Sequence, residues 1–430
     1  MTAPTIAYCG MTHLGLVSGT AAAAKGFETI LFDPDAALVS RLERGELPVS
    51  EPDLDATFAA NRGRLTVTAD VRDLARADVV YLAPDVPTDD SGASDLSAVQ
   101  RLLEVVRPAL RDDAVLVVLS QVPPGFTRGV EGVRGPLLYQ VETLVFGIAL
   151  QRALEPERYI VGCPDPSAPL PEAFRRYLEA FGCPILAMRY ESAELAKISI
   201  NMCLVASVGV ANTMAEICEH VGADWSEIAP SLKLDRRIGA YSYLAPGLGL
   251  AGGNLERDLA TVMRLGEAHG TDTGIVKAWV HNSGWRKGWA ARTLKARVLA
   301  ANPGARVAVL GLAYKQDTHS TKNSPSLALL AELEGVDVAV HDPVVPATAA
   351  PIQVTAGPDP MATVRDADAL CIMTPWPQYK TLDPAAIAAA MRGRVVIDPY
   401  RVLDPGRVRA AGLDWITLGV ADRPQETKPC

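Results

Sequence analysis

The chain has 430 residues, 49% of them hydrophobic and 21% charged, with a mean hydropathy of +0.13. That length exceeds what one hydrophobic core usually supports, so two or three domains are expected. The balance of 41 Lys and Arg against 50 Asp and Glu, net charge −9, excludes a partner recognised through a broad basic face, nucleic acid above all.

Seven cysteines (9, 163, 183, 203, 218, 371 and 430) are an odd number with no CxxC pairing, which suits reduced thiols better than a disulfide framework. The six histidines show neither HExxH nor HxH spacing, so no metal site is expected. No run of 18 or more apolar residues stands out, and no membrane segment is expected. The N-terminus enters a strand-like segment without a basic leader, which points to a cytoplasmic protein.

In chain order, Thr5 to Cys9 is a short apolar run of the kind that forms a buried parallel strand, followed by Gly10-Met11-Thr12-His13-Leu14-Gly15 and a small-residue helix through Ala24. The next strand, Thr29 to Phe32, ends in Asp33, at the separation where a dinucleotide fold sets an acid on the adenosine ribose and favours NAD over NADP. The middle glycine of a full GxGxxG is Thr12 here. By itself the motif is equally compatible with a tight strand-to-helix turn without a ligand. Further strands are predicted at Ala77 to Ala83 and Ala114 to Ser120, with helical-length segments between them, as a doubly wound sheet requires. Their C-terminal ends, Pro84 to Pro87 and Ser120-Gln121, should face the cofactor.

From Glu191 to Ala211 the apolar spacing is helical, with Lys197 and Asn201 one turn apart on a common face. A glycine-rich loop runs from Gly249 to Asp258 and lets backbone amides approach a ligand. Ile275 to Ala301 reads as a long connecting helix, broken by Asn302-Pro303-Gly304. Arg306 to Leu310 opens a second β-α half, with later strands near Leu370 and Val396. The polar stretch after Ala421 is expected to be mobile.

These blocks, in this order, resemble the UDP-glucose/GDP-mannose dehydrogenase family over nearly the whole chain. Gly249-Leu250-Ala251-Gly252-Gly253-Asn254-Leu255-Glu256-Arg257-Asp258 resembles that family's GFGGSCFPKD, with Asn254 in the place of the cysteine nucleophile. Pro87, Gly92, Asp95, Leu96 and Ser97 match AVGTP...DGxADLS, where Asp85 replaces a glycine. Ser120 to Gly125 is similar to STVPPGT, which makes the active-site threonine Gln121. Glu51-Pro52 fits YEPGL, Glu142 is the matching acid of NPEFL, and Glu194, Leu195, Lys197 and Asn201 match AELxKxxxN. Asp235-Arg236-Arg237-Ile238-Gly239 stands where the family has DxRIG. Arg306 to Lys315 resembles VAVLGLAFK, and His319, Ser320 and Lys322 replace the acid pair and arginine of TDDxRESP.

The resemblance implies an α/β fold with two Rossmann-like, doubly wound domains joined by a helical central region with a long connecting helix. The expected boundaries are 1–185, 186–302 and 303–430. It implies NAD held by Gly10, Thr12, Leu14, Gly15, Asp33, Pro87, Ser120 and Lys322, and a nucleotide sugar held by Arg237, Gly249, Gly252, Gly253, Arg257, Tyr314 and Lys315. Lys197, Asn201, Asp258, Glu142, Asn254 and Gln121 are the implied catalytic positions, and a homodimer the implied assembly. In the family, oxidation of a primary alcohol gives an aldehyde, cysteine captures it, and a second oxidation gives the uronic acid. A carboxamide nitrogen, its lone pair delocalised, cannot replace the thiolate. Three outcomes stay open: a two-electron oxidation ending at the aldehyde or its hydrate, a four-electron oxidation through the hydrate, and a silent nucleotide-sugar-binding protein.

Overall fold

The computed structural model describes residues 3–89 and 93–421. Gly92, Cys430 and the polar tail after Ala421 lie outside the described residues. The chain forms two compact units, residues 1–200 and 201–430.

The sheet of the first unit is built from β1 (Ile6–Cys9), β2 (Thr29–Phe32), β3 (Leu65–Thr68), β4 (Val79–Leu82), β5 (Val115–Val118), β6 (Leu137–Gln140), β7 (Tyr159–Cys163) and β8 (Ile185–Arg189). Their order is β3-β2-β1-β4-β5-β6-β7-β8. Pairing is parallel except between β6 and β7. Residues such as Val79-Val80-Tyr81-Leu82 are buried on both faces, which is why these strands read as continuous apolar runs rather than alternating ones. Tyr8 of β1 stands opposite Leu31 and Tyr81. The strand order reverses between β1 and β4, so the crevice that takes ligands in such sheets opens where Gly10 and Pro84 follow those strands. Helix α1 (His13–Ala24) returns over β1, and its alanines and glycines let it lie close.

The second unit repeats the plan with β9 (Arg306–Leu310), β10 (Asp337–His341), β11 (Thr355–Ala356), β12 (Ala369–Ile372), β13 (Val395–Ile397) and β14 (Asp414–Ile416). The order β11-β10-β9-β12-β13-β14 is parallel throughout.

The long helix lies elsewhere than expected. It is α2 (Tyr190–Val221), 32 residues whose Tyr190 and Ala193 sit in the first unit's core and whose Ala211, Ala215 and Cys218 sit in the second's. After α3 (Asn254–His269), the 275–301 segment is not one regular helix. It forms α4 (Gly274–Lys287), a one-residue turn at Gly288, α5 (Trp289–Leu294) and a π-turn at Lys295–Leu299. Gly288, with ψ near −2°, is the residue with least to hold it in the helix.

Candidate active site

At the end of β1 the chain turns at Gly10 into α1. The turn is so tight that a Cβ on Gly15 would lie 2.0 Å from the Gly10 carbonyl oxygen, which only glycine allows. Leu14 is buried in the apolar core behind the turn. Asp33, after β2, reaches across to it, with Oδ2 accepting from the Met11 amide at 2.7 Å and Oδ1 from that of Asp35 at 3.0 Å.

Thr12 precedes the helix without capping it. Its hydroxyl instead accepts from the Asp85 amide at 2.8 Å, and Asp85 Oδ2 accepts from the His13 amide at 3.0 Å. The protein around the Asp85 carboxyl raises its pKa and the Glu142 charge adds to the rise, against the attraction of His13 and the bonds from His13 and Thr12. Ser120 is fully buried, its hydroxyl donating to the Pro84 carbonyl at 2.6 Å. Pro87 is exposed, and its carbonyl accepts from the Asp95 amide at 2.9 Å. His13 Nε2 lies 2.8 Å from Glu51 Oε1, and that buried carboxylate also accepts from the Gly147 and Ala149 amides.

The proton-handling groups of the first unit sit beyond β6. Glu142 accepts from the Leu144 amide at 2.9 Å and pairs with Lys197 Nζ of α2 at 2.8 Å, both side chains largely buried. Gln121, after β5, is also buried. The loop behind it is held by Glu194, fully buried on α2, whose carboxylate accepts from the Gly125 amide at 2.6 Å and the Thr127 amide at 2.9 Å. Sequence reasoning gave neither Glu194 nor His13 a role. The available signals were a glutamate beside the apolar face of a helix and a histidine inside the glycine turn.

In the second unit Asn201, one turn beyond Lys197 on α2, donates from Nδ2 to Asp258 Oδ2 at 2.5 Å. Arg257 Nε lies 3.2 Å from Asp258 Oδ1, and all three residues are buried. Asn254 is the first residue of α3 and is exposed, one turn before Asp258.

The loop before it is fastened on several sides. Leu250, next to Gly249, donates its amide to Ser283 Oγ at 2.8 Å. Gly252 donates its amide to the Lys322 carbonyl at 3.0 Å and accepts from Asn323 Nδ2 at 2.9 Å. Gly252 has φ +82°, and a Cβ there would press on the Tyr314 ring at 3.2 Å, so conformation and space both call for glycine. Gly253 leads into α3, and Glu256 pairs with Lys287 at 3.1 Å. Lys315 Nζ lies 5.7 Å from the Tyr314 ring centroid. Arg237 is not brought to this loop. It projects into solvent and pairs with Asp235 at 2.6 Å.

Cys203 is exposed two residues beyond Asn201, about 200° around the helix from it, while Cys218 and Cys371 are buried. Each unit therefore holds a buried carboxylate beside a donor, Glu142 with Lys197 and Asp258 with Asn201. Such pairs can accept a proton and stabilise a developing oxyanion. Among the described residues no group of three or more His, Cys, Asp or Glu is placed to hold a metal ion.

Two doubly wound units with buried proton-handling side chains define a dinucleotide-dependent dehydrogenase. Residues 4–176 match the NAD binding domain of the UDP-glucose/GDP-mannose dehydrogenase family, 191–283 its central domain and 308–405 its UDP binding domain. The chain belongs to that family. It is 30% identical over 437 residues to a UDP-glucose 6-dehydrogenase of Pseudomonas aeruginosa, covering 95% of this chain and 96% of the relative. UDP-glucose 6-dehydrogenase TuaD of Bacillus subtilis is 28% identical over 431 residues, covering 96% and 93%. A UDP-glucose dehydrogenase structure from Pyrobaculum islandicum superposes with a TM-score of 0.82 at 28% identity, covering 95% and 96%. The chain is accordingly an NAD-dependent oxidoreductase acting on a CH–OH group of a nucleotide sugar.

Gly10, Gly15 and Asp33 have the chemistry that an adenosine half would need: the packing of the turn admits no side chain at Gly15, and the Asp33 carboxylate follows β2 beside that turn, as a ribose hydroxyl requires. The first turn of α1 fits less simply, because the Asp85 carboxylate already accepts from one of its amides.

Proposed function

We propose that this enzyme oxidises the primary alcohol of a UDP-linked hexose and releases the product at the aldehyde level, free or hydrated. The observation behind this reading is Asn254 at the first position of α3, one turn before the buried Asp258–Asn201 pair. NAD, when bound, supplies the acceptor for the hydride that leaves the alcohol carbon. Glu142 is the carboxylate suited to take the hydroxyl proton, and the Lys197 ammonium beside it offsets negative charge on the oxygen. In the second unit Asn201 is ordered by its bond to Asp258. Asn254 can hydrogen-bond the product but forms no covalent adduct with it.

Counting NADH per sugar and weighing the product tests this. One NADH and a product trapped by hydroxylamine are expected, while two NADH and a carboxylate would defeat it. The buried Asp258 so near Asn254 favours a second reading, direct oxidation of the hydrated aldehyde; restoring cysteine at 254 would then change rate but not product.

The assembly we propose is a homodimer formed on α2. Val210, Met214, Ile217 and Val221 are exposed on it at spacings of four, three and four residues, a single apolar stripe. By length and composition α2 could also cross a bilayer, but Glu216 and Glu219 on the same helix are engaged with Arg286, which favours a second copy as the cover. Light scattering at twice 45.7 kDa is expected; a monomer at micromolar concentration would contradict it. A cytoplasmic location is the reading that suits described cysteines without a disulfide.

A further inference from the structure

Three side-chain contacts hold the Pro84-Asp85 segment against the first turn of α1. Ser120 Oγ donates to the Pro84 carbonyl at 2.6 Å, the Asp85 amide donates to Thr12 Oγ1 at 2.8 Å, and the His13 amide donates to Asp85 Oδ2 at 3.0 Å. The amides that open a helix after the first strand of a dinucleotide fold are those that receive the pyrophosphate, since unpaired N–H groups and the helix dipole both favour an anion there. In this chain one of those amides already serves a carboxylate of the same sign of charge as the ligand. Thr12, which alone reads as a side chain crowding the phosphates, also supplies the acceptor that fixes the Asp85 backbone. Two departures from the glycine pattern, 73 residues apart, are thus one contact.

We propose that Asp85 is a built-in anionic occupant of the pyrophosphate position, so that NAD binds the fraction of molecules whose Asp85 side chain has swung away. The residue thereby sets cofactor affinity. Asp85 as a residue is exposed although its carboxyl faces the protein, so the side chain can turn outward without unfolding of its surroundings. Apparent affinity then falls in proportion to the competent fraction, and the bond that Asp85 accepts from the His13 amide keeps that fraction small. The inference rests on the first unit being the NAD-binding one.

Calorimetry of the full chain with NAD and, separately, with adenosine tests it, using wild type, Asp85→Asn and Asp85→Ala, each checked by thermal melting. Asp85→Ala is expected to bind NAD at least about tenfold more tightly, equivalent to about 1.4 kcal/mol. Asp85→Asn, which keeps an acceptor but loses the charge, should fall between. Adenosine, which has no phosphate, should bind all three alike. NAD affinity unchanged or weakened in both folded variants overturns the proposal, as does adenosine tightening in parallel with NAD. If neither compound binds any form, the NAD-binding reading of the first unit fails and the proposal falls with it.

Discussion

Replacing Glu194 with leucine tests whether one buried carboxylate holds the loop behind Gln121. Glu194 is 0% exposed, and its two oxygens accept from the Gly125 and Thr127 amides at 2.6 and 2.9 Å. A hydrogen bond to a charged group contributes roughly 1.5–3 kcal/mol, and a buried amide left without an acceptor costs about 1–3 kcal/mol. The Gly125 bond is only partly buried, so water recovers some of its share, and a net loss of about 3 kcal/mol is expected. For a unit of this size, residues 1–200, that lowers Tm by about 6–12 °C.

Burial acts in the opposite direction, raising the Glu194 pKa despite the two amide bonds. A carboxyl whose folded pKa is raised contributes most below its unfolded value, and the contribution declines as pH rises through the folded value. Glu194→Gln keeps one acceptor and removes the charging penalty. It should therefore melt within about 1 kcal/mol of wild type near neutral pH. The wild type should gain on it as pH is lowered toward the unfolded pKa. Scanning calorimetry of the three proteins over a pH series measures this. A Leu variant melting within about 2 °C of wild type, or a Gln variant whose pH profile superimposes on it, would refute the argument.

Asn254→Cys would set a thiol at the first position of a 16-residue helix, where the dipole lowers its pKa; NADH per sugar should rise from one to two, and mass spectrometry should find the carboxylate. Asn201→Leu removes the 2.5 Å donor to the buried Asp258 and is expected to lower stability by about 1.5–3 kcal/mol, read from the urea midpoint, with a fall in kcat. Asp33→Ser should lessen the preference for NAD over NADP, since no carboxylate would then oppose a 2′-phosphate; calorimetry with both cofactors checks it. NAD should bind more tightly as pH falls. The Asp85 pKa is raised, and the charged groups facing it are His13 with its partner Glu51 and Glu142 with its partner Lys197. A dependence equally steep in Asp85→Asn would assign the effect to those groups instead.

Much of the fold was legible in the sequence because a strand buried on both faces has to be continuously apolar, as Val79 to Leu82 is, and because glycine patterns mark turns with no room for Cβ. The second unit announced itself in the same way, at Arg306 to Leu310. Helix lengths were less legible. The apolar spacing of α2 was visible as far as Ala211, but Glu216 and Glu219 resemble a solvated end, whereas both turn to the buried Arg286. From Ile275 to Ala301 the pattern looked unbroken, yet the helix yields at Gly288.

By itself the sequence determined the two nucleotide folds, the acid at Asp33, the order of Lys197, Asn201 and Asp258, and the carboxamide at Asn254. Those follow from residue type and local spacing, which dictate backbone conformation and chemical capacity. Only the tertiary structure decided partners: that Asp85 meets His13 across 72 residues and that Glu194 binds a loop 67 to 69 residues away rather than its helical neighbour Lys197. Periodicity tells which face of an element is buried, but the polar atoms it must satisfy there belong to whatever chain segment folding brings opposite.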